Sequence, residues 1–286
     1  MIKLQTTVDA GRSRFGVSLS NHVLILGSCF ADGVGAKLVS GGFDALVNPF
    51  GTLYNPVSIL NSLERIASGR HFTEADAVMM GAGSSLWCSH SHHTSFARAD
   101  IEEFLNDANA ALDAARQFWE RCDRIIVTLG TSWVWEKDGH VVSNCLKRNV
   151  SEFVHRSLSV AEVEAALEGI LSLAGSGRKV IFTVSPVRHL WNGAHSNQLS
   201  KATLLLAADS IVSAHPDGAE YFPAYETVLD ELRDYRFYGD DMTHPTALAV
   251  GCVWEKFRDF AVPAGEFDDV ARAMKAFRAA GHRPLR

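Results

Sequence analysis

The sequence predicts an α/β protein in which helices cover both faces of a central parallel sheet of five strands. Two observations carry this. Short apolar runs of strand length alternate with stretches of helical spacing. The apolar runs are near-continuous rather than alternating, as expected of strands buried on both faces.

The elements follow in order. His22–Leu26 ("HVLIL") is a buried parallel strand bounded by Asn21 and Gly27. Phe30, Val34 and Leu38 then recur at helical spacing, closed by Gly41. Residues 43–47 ("FDALV") form the second strand. Asn55 before Pro56 signals a helix start, with Ser68 and Gly69 at its end. Asp100 and Glu103 are spaced as a capping box for the helix "IEEFLNDANAALDAARQFW". Residues 124–130 ("RIIVTLG") form the third strand, and "WVWEKDGHVV" reads as a hairpin turning at Asp138-Gly139. Ser159 and Glu162 open a helix to about Ala174. Residues 179–186 form the fourth strand, 197–214 a helix and 219–226 the fifth strand. A late helix is expected in "HPTALAVGCVWEKFRDF", and an amphipathic one over 265–281. The whole chain, 1–286, reads as one domain with irregular insertions near 71–99 and 136–158.

Composition narrows the function. The 286 residues are 47% hydrophobic and 21% charged, enough for a sizeable core. A net charge of −6 argues against nucleic acid as a main partner. No apolar run reaches membrane-spanning length. The first sixteen residues lack the apolar region of a signal peptide, and five scattered cysteines show no zinc-type spacing. The expectation is a reduced, cytoplasmic protein with free thiols.

Ligands of such sheets sit beyond the carboxyl ends of the strands. Three segments should therefore open on one edge: Gly27-Ser28-Cys29, Asn48-Pro49-Phe50-Gly51 and Gly130-Thr131-Ser132. A fourth lies downstream, in "YGDDMTHPT", where Asp241 and His244 are three apart. A carboxylate beside an imidazole orients it, and the imidazole can deprotonate a hydroxyl or thiol across a cleft.

Residues 27–31 read Gly-Ser-Cys-Phe-Ala, and with "NPFGTLYNP", "TLGTSWVWE", "TVSPVRH" and "YGDDMTHP" they identify the chain as a member of the GSCFA-domain family. That family resembles a branch of the SGNH, or GDSL, hydrolase superfamily. The resemblance implies a three-layer, flavodoxin-like α/β/α fold, a nucleophile after the first strand, oxyanion donors after the second and third, and a terminal Asp-x-x-His. Position by position, it implies Cys29 as nucleophile, Gly51 and Thr131 or Ser132 as oxyanion donors, His244 as base and Asp241 as its orienting carboxylate. Two departures stand out. A thiol replaces the usual serine, and Gly130-Thr131-Ser132 carries hydroxyls where the superfamily has an asparagine.

The physics of a helix start favours Cys29 over Ser28. The dipole and a paired imidazole should both lower the thiol pKa. Ser28 reads as a helix cap, or as the alternative nucleophile. Asp240 is a less well spaced alternative to Asp241. The histidines of "CSHSHHTSF", His90, His92 and His93, suggest a metal, but without a nearby carboxylate or second cysteine they read as a polar cleft loop. Arg188, His189 and Trp191 follow the fourth strand and are candidates to contact substrate.

The expected function is a hydrolase or acyltransferase that uses an acyl-enzyme and needs no cofactor or metal. Its expected substrate is a small-molecule or carbohydrate ester. The rival expectations are a non-catalytic binding domain of the same fold and a redox-sensing thiol at Cys29.

Overall fold

A computed structural model of the chain describes residues 5–281. The elements, in chain order, begin with β1 (His22–Gly27), α1 (Cys29–Ser40), β2 (Asp44–Val47) and α2 (Pro56–Ser68). Next come β3 (Val78–Met79), β4 (Trp87–Cys88), α3 (Ile101–Arg121) and β5 (Arg124–Leu129). Then follow β6 (Trp133–Lys137), β7 (His140–Val142), β8 (Val154–Ser157), α4 (Val160–Ala174) and β9 (Lys179–Val184). The chain closes with α5 (Gly193–Ala214), β10 (Ala219–Tyr221), the short α6 (Ala224–Glu226), α7 (Ala247–Ala261) and α8 (Phe267–Gly281).

Five parallel strands pair in the order β10-β9-β5-β1-β2. Counting only these strands, the order is 2-1-3-4-5, the flavodoxin-like arrangement that the family resemblance implied. Strand order reverses between β1 and β5. Connections leave those two strands in opposite directions and open a crevice at their carboxyl ends.

Alternation along the buried strands builds two cores. Leu24, Leu26, Ile125 and Val127 face one side, packed with Ile59 and Leu63 of α2, Phe104 and Leu112 of α3, Leu167 of α4 and Leu204 of α5. Val23, Ile25 and Ile126 face the other, packed with Phe30 and Leu38 of α1, Trp254 and Phe257 of α7 and Val270 of α8. The sheet is thus the middle of three layers, and both of its faces are apolar, as a parallel sheet requires.

The expected caps form: Asn55 Oδ1 accepts from Ser58 N at 2.8 Å, and Ser159 makes a reciprocal box with Glu162. Asp100 caps α3 alone, accepting from the Glu102 and Glu103 N–H groups. The hairpin turns at Asp138-Gly139, with φ of 51° and 78°. β8 then pairs with the other side of β6, so the 136–158 insertion completes a three-stranded antiparallel sheet.

Three expectations are corrected. The fifth strand stops at Tyr221, because Pro223 precedes the helical turn Ala224–Glu226 and a wide turn over Thr227–Glu231. The helix expected from 197 begins at Gly193. Pro245 does not open α7; it bridges Tyr238, and Thr246 caps the helix by accepting from Ala249 N. That shift leaves His244 on the loop ahead of the helix.

Candidate active site

The loop after β1 is tightly constrained. Gly27 has φ of 143°, and a Cβ there would lie 2.2 Å from the Thr128 carbonyl oxygen, so only glycine fits beside β5. Gly27 N–H donates to Asn48 Oδ1 at 2.9 Å, and Gly27 O accepts from Leu53 N at 2.8 Å. The loop after β2 is therefore zipped to the loop after β1. Tyr54 O accepts from both Gly130 N and Thr131 N, at 2.9 and 2.8 Å, which joins the loop after β5 to the same ensemble. The three segments singled out in the sequence do converge on one edge.

Ser28 is fully buried and caps α1. Its Oγ accepts from Phe30 N at 3.3 Å and donates to Ser185 Oγ at 2.9 Å. Ser185 stands just beyond β9, so this bond links the first and fourth strand ends. Cys29, the first residue of α1, is half-buried.

The Cys29 thiol is not acidified, contrary to the sequence expectation. Burial pushes its pKa up, and the carboxylates of Asp32 and Asp241 add to that; the Cys29 and Phe30 backbone N–H groups pull it down by less. Asp32 lies three residues along the same helix face and is itself raised by burial, while it accepts from Asn48 Nδ2 at 2.6 Å. The thiol is therefore protonated at neutral pH. Asp32→Asn should lower the Cys29 pKa. The expected result is faster iodoacetamide alkylation at neutral pH, measured against a Cys29→Ala blank; an unchanged rate would remove Asp32 from this account.

Asp241 and His244 form the expected pair. His244 Nδ1 lies 2.5 Å from Asp241 Oδ2, while Asp241 Oδ1 accepts from the Thr243 and His244 N–H groups at 2.9 and 3.0 Å. Those two N–H groups, with the imidazole, hold the Asp241 carboxyl well below the usual carboxylate range. Both side chains are about half exposed, so the pair adds little to stability. With Nδ1 engaged, His244 Nε2 makes no hydrogen bond among the described residues. No hydrogen bond joins Cys29 Sγ to His244 among the described residues; Asp241 reaches Cys29 through its field.

A cleft of about 500 Å³ lies above this edge, walled by Tyr54, Thr131, Trp135, Arg188, His189 and His244 among others. Cys29 is not part of its wall. The antiparallel sheet supplies Trp133 and Trp135, with His155 stacked 4.0 Å from Trp135. Trp191, 82% exposed, stands at the same cleft.

Several expected donors are committed elsewhere. Gly51 N–H donates to Asn48 O at 2.7 Å, closing a turn. Gly51 has φ of 87°, and a Cβ there would lie 2.2 Å from His93 Cβ, so the glycine is explained by the turn and the close approach. Ser132 is fully buried, its Oγ 2.9 Å from Ser157 Oγ and its N–H donating to Ser200 Oγ. Thr131 Oγ1 lies 3.0 Å from Ser200 Oγ and accepts from Trp133 N. These residues hold the loop to α5 and β8. His93 caps a short turn, accepting from Ser95 N, and packs on Gly51 rather than walling the cleft. Arg188 donates to Met242 O and so fastens the loop that carries His244. Asp240 makes no hydrogen bond to His244 among the described residues.

The histidine-rich loop is structural. His92 is fully buried among Phe50, Phe72, Phe96 and Phe104, its Nδ1 2.6 Å from Ser89 Oγ, and burial pushes its pKa down to about 3. His90 Nδ1 donates to Asn144 O at 2.7 Å. Among the described residues no cluster of three or more ligands suits a metal. All five cysteines are free, and among the described residues no helix is long and apolar enough to cross a membrane.

Lys201 was not foreseen. It is fully buried, and its Nζ donates to Gly130 O at 2.6 Å and Ser185 O at 2.7 Å, tying the ends of β5 and β9 together beneath the site. Burial pushes its pKa down to about 7, with Cys29 raising it in part. One sequence signal was available: Asn197, Ser200 and Lys201 are polar residues spaced to share one face of a helix.

The fold and this strand-end site define an α/β protein with a thiol and an Asp-His pair at the switch point. The GSCFA family model matches residues 22–257, and the chain belongs to the GSCFA family. Among solved structures the chain is similar to the esterase EstA of Pseudoalteromonas sp., at 12% identity and a TM-score of 0.41, covering 84% of this chain and 96% of that one. It is also similar to a carbohydrate esterase family 2 enzyme with a carbohydrate binding domain from Corynascus thermopiles (Myceliophthora fergusii), at 15% identity and a TM-score of 0.43, covering 92% and 69%. No curated protein sequence matches the chain.

Proposed function

We propose that the protein is an acyl hydrolase or acyltransferase of SGNH type that works through a Cys29–His244–Asp241 triad. The observation that carries this is the 2.5 Å Asp241–His244 pair on the same strand-end edge as Cys29. Neither residue of that exposed pair is needed for packing, so a chemical role accounts for it best.

In the proposed reaction His244 Nε2 takes the Cys29 proton as sulfur attacks the acyl carbon. The carbonyl π pair moves to oxygen and forms a tetrahedral oxyanion. Collapse expels the alcohol, which leaves with the proton from His244, and a thioester remains on Cys29. Water or a second acceptor, deprotonated by His244, then takes the acyl group and frees the thiol. Asp241 keeps Nδ1 protonated and offsets the charge on the imidazolium. Proton transfer to His244 matters more here than in a thiolate enzyme, because burial and Asp32 keep Cys29 protonated.

The substrate we favour is an acylated carbohydrate. Trp133, Trp135 and the exposed Trp191 offer flat apolar faces to the C–H faces of a sugar ring, while Arg188 and Asn192 offer polar contacts at the same cleft.

Intact-mass measurement after reaction with p-nitrophenyl acetate and longer acyl esters tests this reading. Wild type and Ser28→Ala should gain one acyl group, and Cys29→Ala and His244→Ala should gain none. Acylation that survives Cys29→Ala and disappears in Ser28→Ala would overturn the assignment. A second reading, a non-catalytic binding domain, is favoured by the raised Cys29 pKa and predicts no acylation of the wild type. The same raised pKa weighs against a redox sensor, which works through an acidic thiol.

A further inference from the structure

We infer that His189, as a neutral imidazole, is the side-chain oxyanion donor of this site, filling the role for which the loop after β5 carries no amide. This rests on the acyl-transfer reading above.

The problem it solves is specific. An acyl-transfer site needs donors aimed at the developing oxyanion. Here the Gly51, Gly130 and Thr131 N–H groups are all consumed by Asn48 O and Tyr54 O. The Thr131 and Ser132 hydroxyls are held by Ser200 and Ser157. The first turn of α1 still offers backbone N–H groups, but the expected side-chain donor is missing.

His189 stands beside the loop after β5. Its Nε2 lies 3.2 Å from the point where a Cβ on Gly130 would sit, so the imidazole fills the space beside the loop after β5. The residue walls the cleft together with His244. Nε2 is buried and has no hydrogen-bond partner among the described residues, as a donor kept for a ligand would be. The ring is held without consuming that nitrogen. The His189 backbone N–H donates to Asn197 Oδ1 at 2.9 Å, and the ring sits edge-on to Tyr54 at 5.6 Å.

Charge favours the role as well. Burial, with Lys201 and His244 nearby, pushes the His189 pKa down to about 3, so the ring stays neutral at working pH. A neutral imidazole in its Nε2–H tautomer donates one hydrogen bond and cannot protonate the oxyanion outright. It also does not compete with His244 for the thiol proton, being far too weak a base. When the π pair moves to the acyl oxygen, the His189 N–H bond strengthens. When the pair returns, that bond relaxes, and His189 keeps its proton throughout.

Two reactions at the same sulfur separate this role from a structural one. Acylation by p-nitrophenyl acetate passes through an oxyanion, whereas alkylation by iodoacetamide does not. His189→Ala should slow acylation of Cys29 by about 10²–10³ and leave alkylation unchanged. His189→Asn, which restores an amide donor, should recover part of the loss. Equal losses in both reactions would reduce His189 to a structural residue, and unchanged acylation would overturn the inference. A wild type that is alkylated but never acylated would overturn the acyl-transfer reading itself, and this role with it.

Discussion

Asp241→Asn is expected to lower kcat by about 10⁴, and His244→Ala by more, with the fold intact in both. The argument starts from partner geometry. Asp241 Oδ2 faces Nδ1 of His244 at 2.5 Å, while Oδ1 is held by two backbone N–H groups. An asparagine can keep the two backbone bonds through its oxygen. It then turns its NH₂ toward His244, which forces Nδ1 to accept and places the imidazole proton on Nε2. The base then has no lone pair for the thiol. Because Cys29 is protonated at rest, no population of preformed thiolate rescues the variant. The measurement is steady-state hydrolysis of an activated ester, with thermal unfolding as the control. Both residues are exposed, so the unfolding midpoint should hardly move. Full activity in Asp241→Asn would show that the pair does not act on Cys29.

Lys201→Met is expected to make the protein's stability relative to wild type strongly pH-dependent. In the unfolded chain the lysine binds its proton below its ordinary value of 10.5, whereas in the folded protein it does so only below about 7. Between those limits the unfolded state holds more protons, so wild-type stability rises with pH, by about 1.4 kcal/mol per pH unit. Below about 7 both states are protonated and the cost of burying the charge is fully present. Above 10.5 both are neutral and that cost is gone. Methionine carries no proton and pays none of this. It does leave Gly130 O and Ser185 O without their donor, at about 1–3 kcal/mol each. At acidic pH the two effects offset; as the pH rises from about 7 towards 10.5 the burial cost fades and the loss prevails. Denaturant unfolding at about pH 6 and pH 9, with thiols kept reduced, should therefore show Lys201→Met close to wild type at the lower pH and clearly less stable at the higher. A difference that does not change with pH would mean that Lys201 keeps an ordinary pKa.

Much of the architecture was legible in the residues. The near-continuous apolar runs specify strands buried on both faces, and alternation along them divides Leu24 and Leu26 from Val23 and Ile25. Asn55-Pro56, Ser159 with Glu162, and Asp138-Gly139 act within a few residues of themselves, so their caps and turn could be read locally. The errors fall where local signals compete. "AEYFPAYE" has the composition of a strand, but Pro223 ends it. "HPTALAV" offers both Pro245 and Thr246 as a start, and the bridge from Pro245 to Tyr238 decides for Thr246.

The site divides in the same way. Cys29, Asp241 and His244 could be singled out because spacing and position at element ends carry their signal. The sheet, the Ser28-Cys29 pair and the Asp-x-x-His spacing are all readable from the residues, since they depend on periodicity and short-range geometry. Which groups are free, and how they are charged, depends on the folded chain. Gly51 loses its N–H to Asn48, Ser132 is sealed against Ser157, and burial, with Asp32, keeps Cys29 protonated. Lys201 and His189 acquire depressed pKa values. Desolvation and hydrogen-bond satisfaction are set by whatever the distant chain packs against a group, and that environment exists only once the chain has folded.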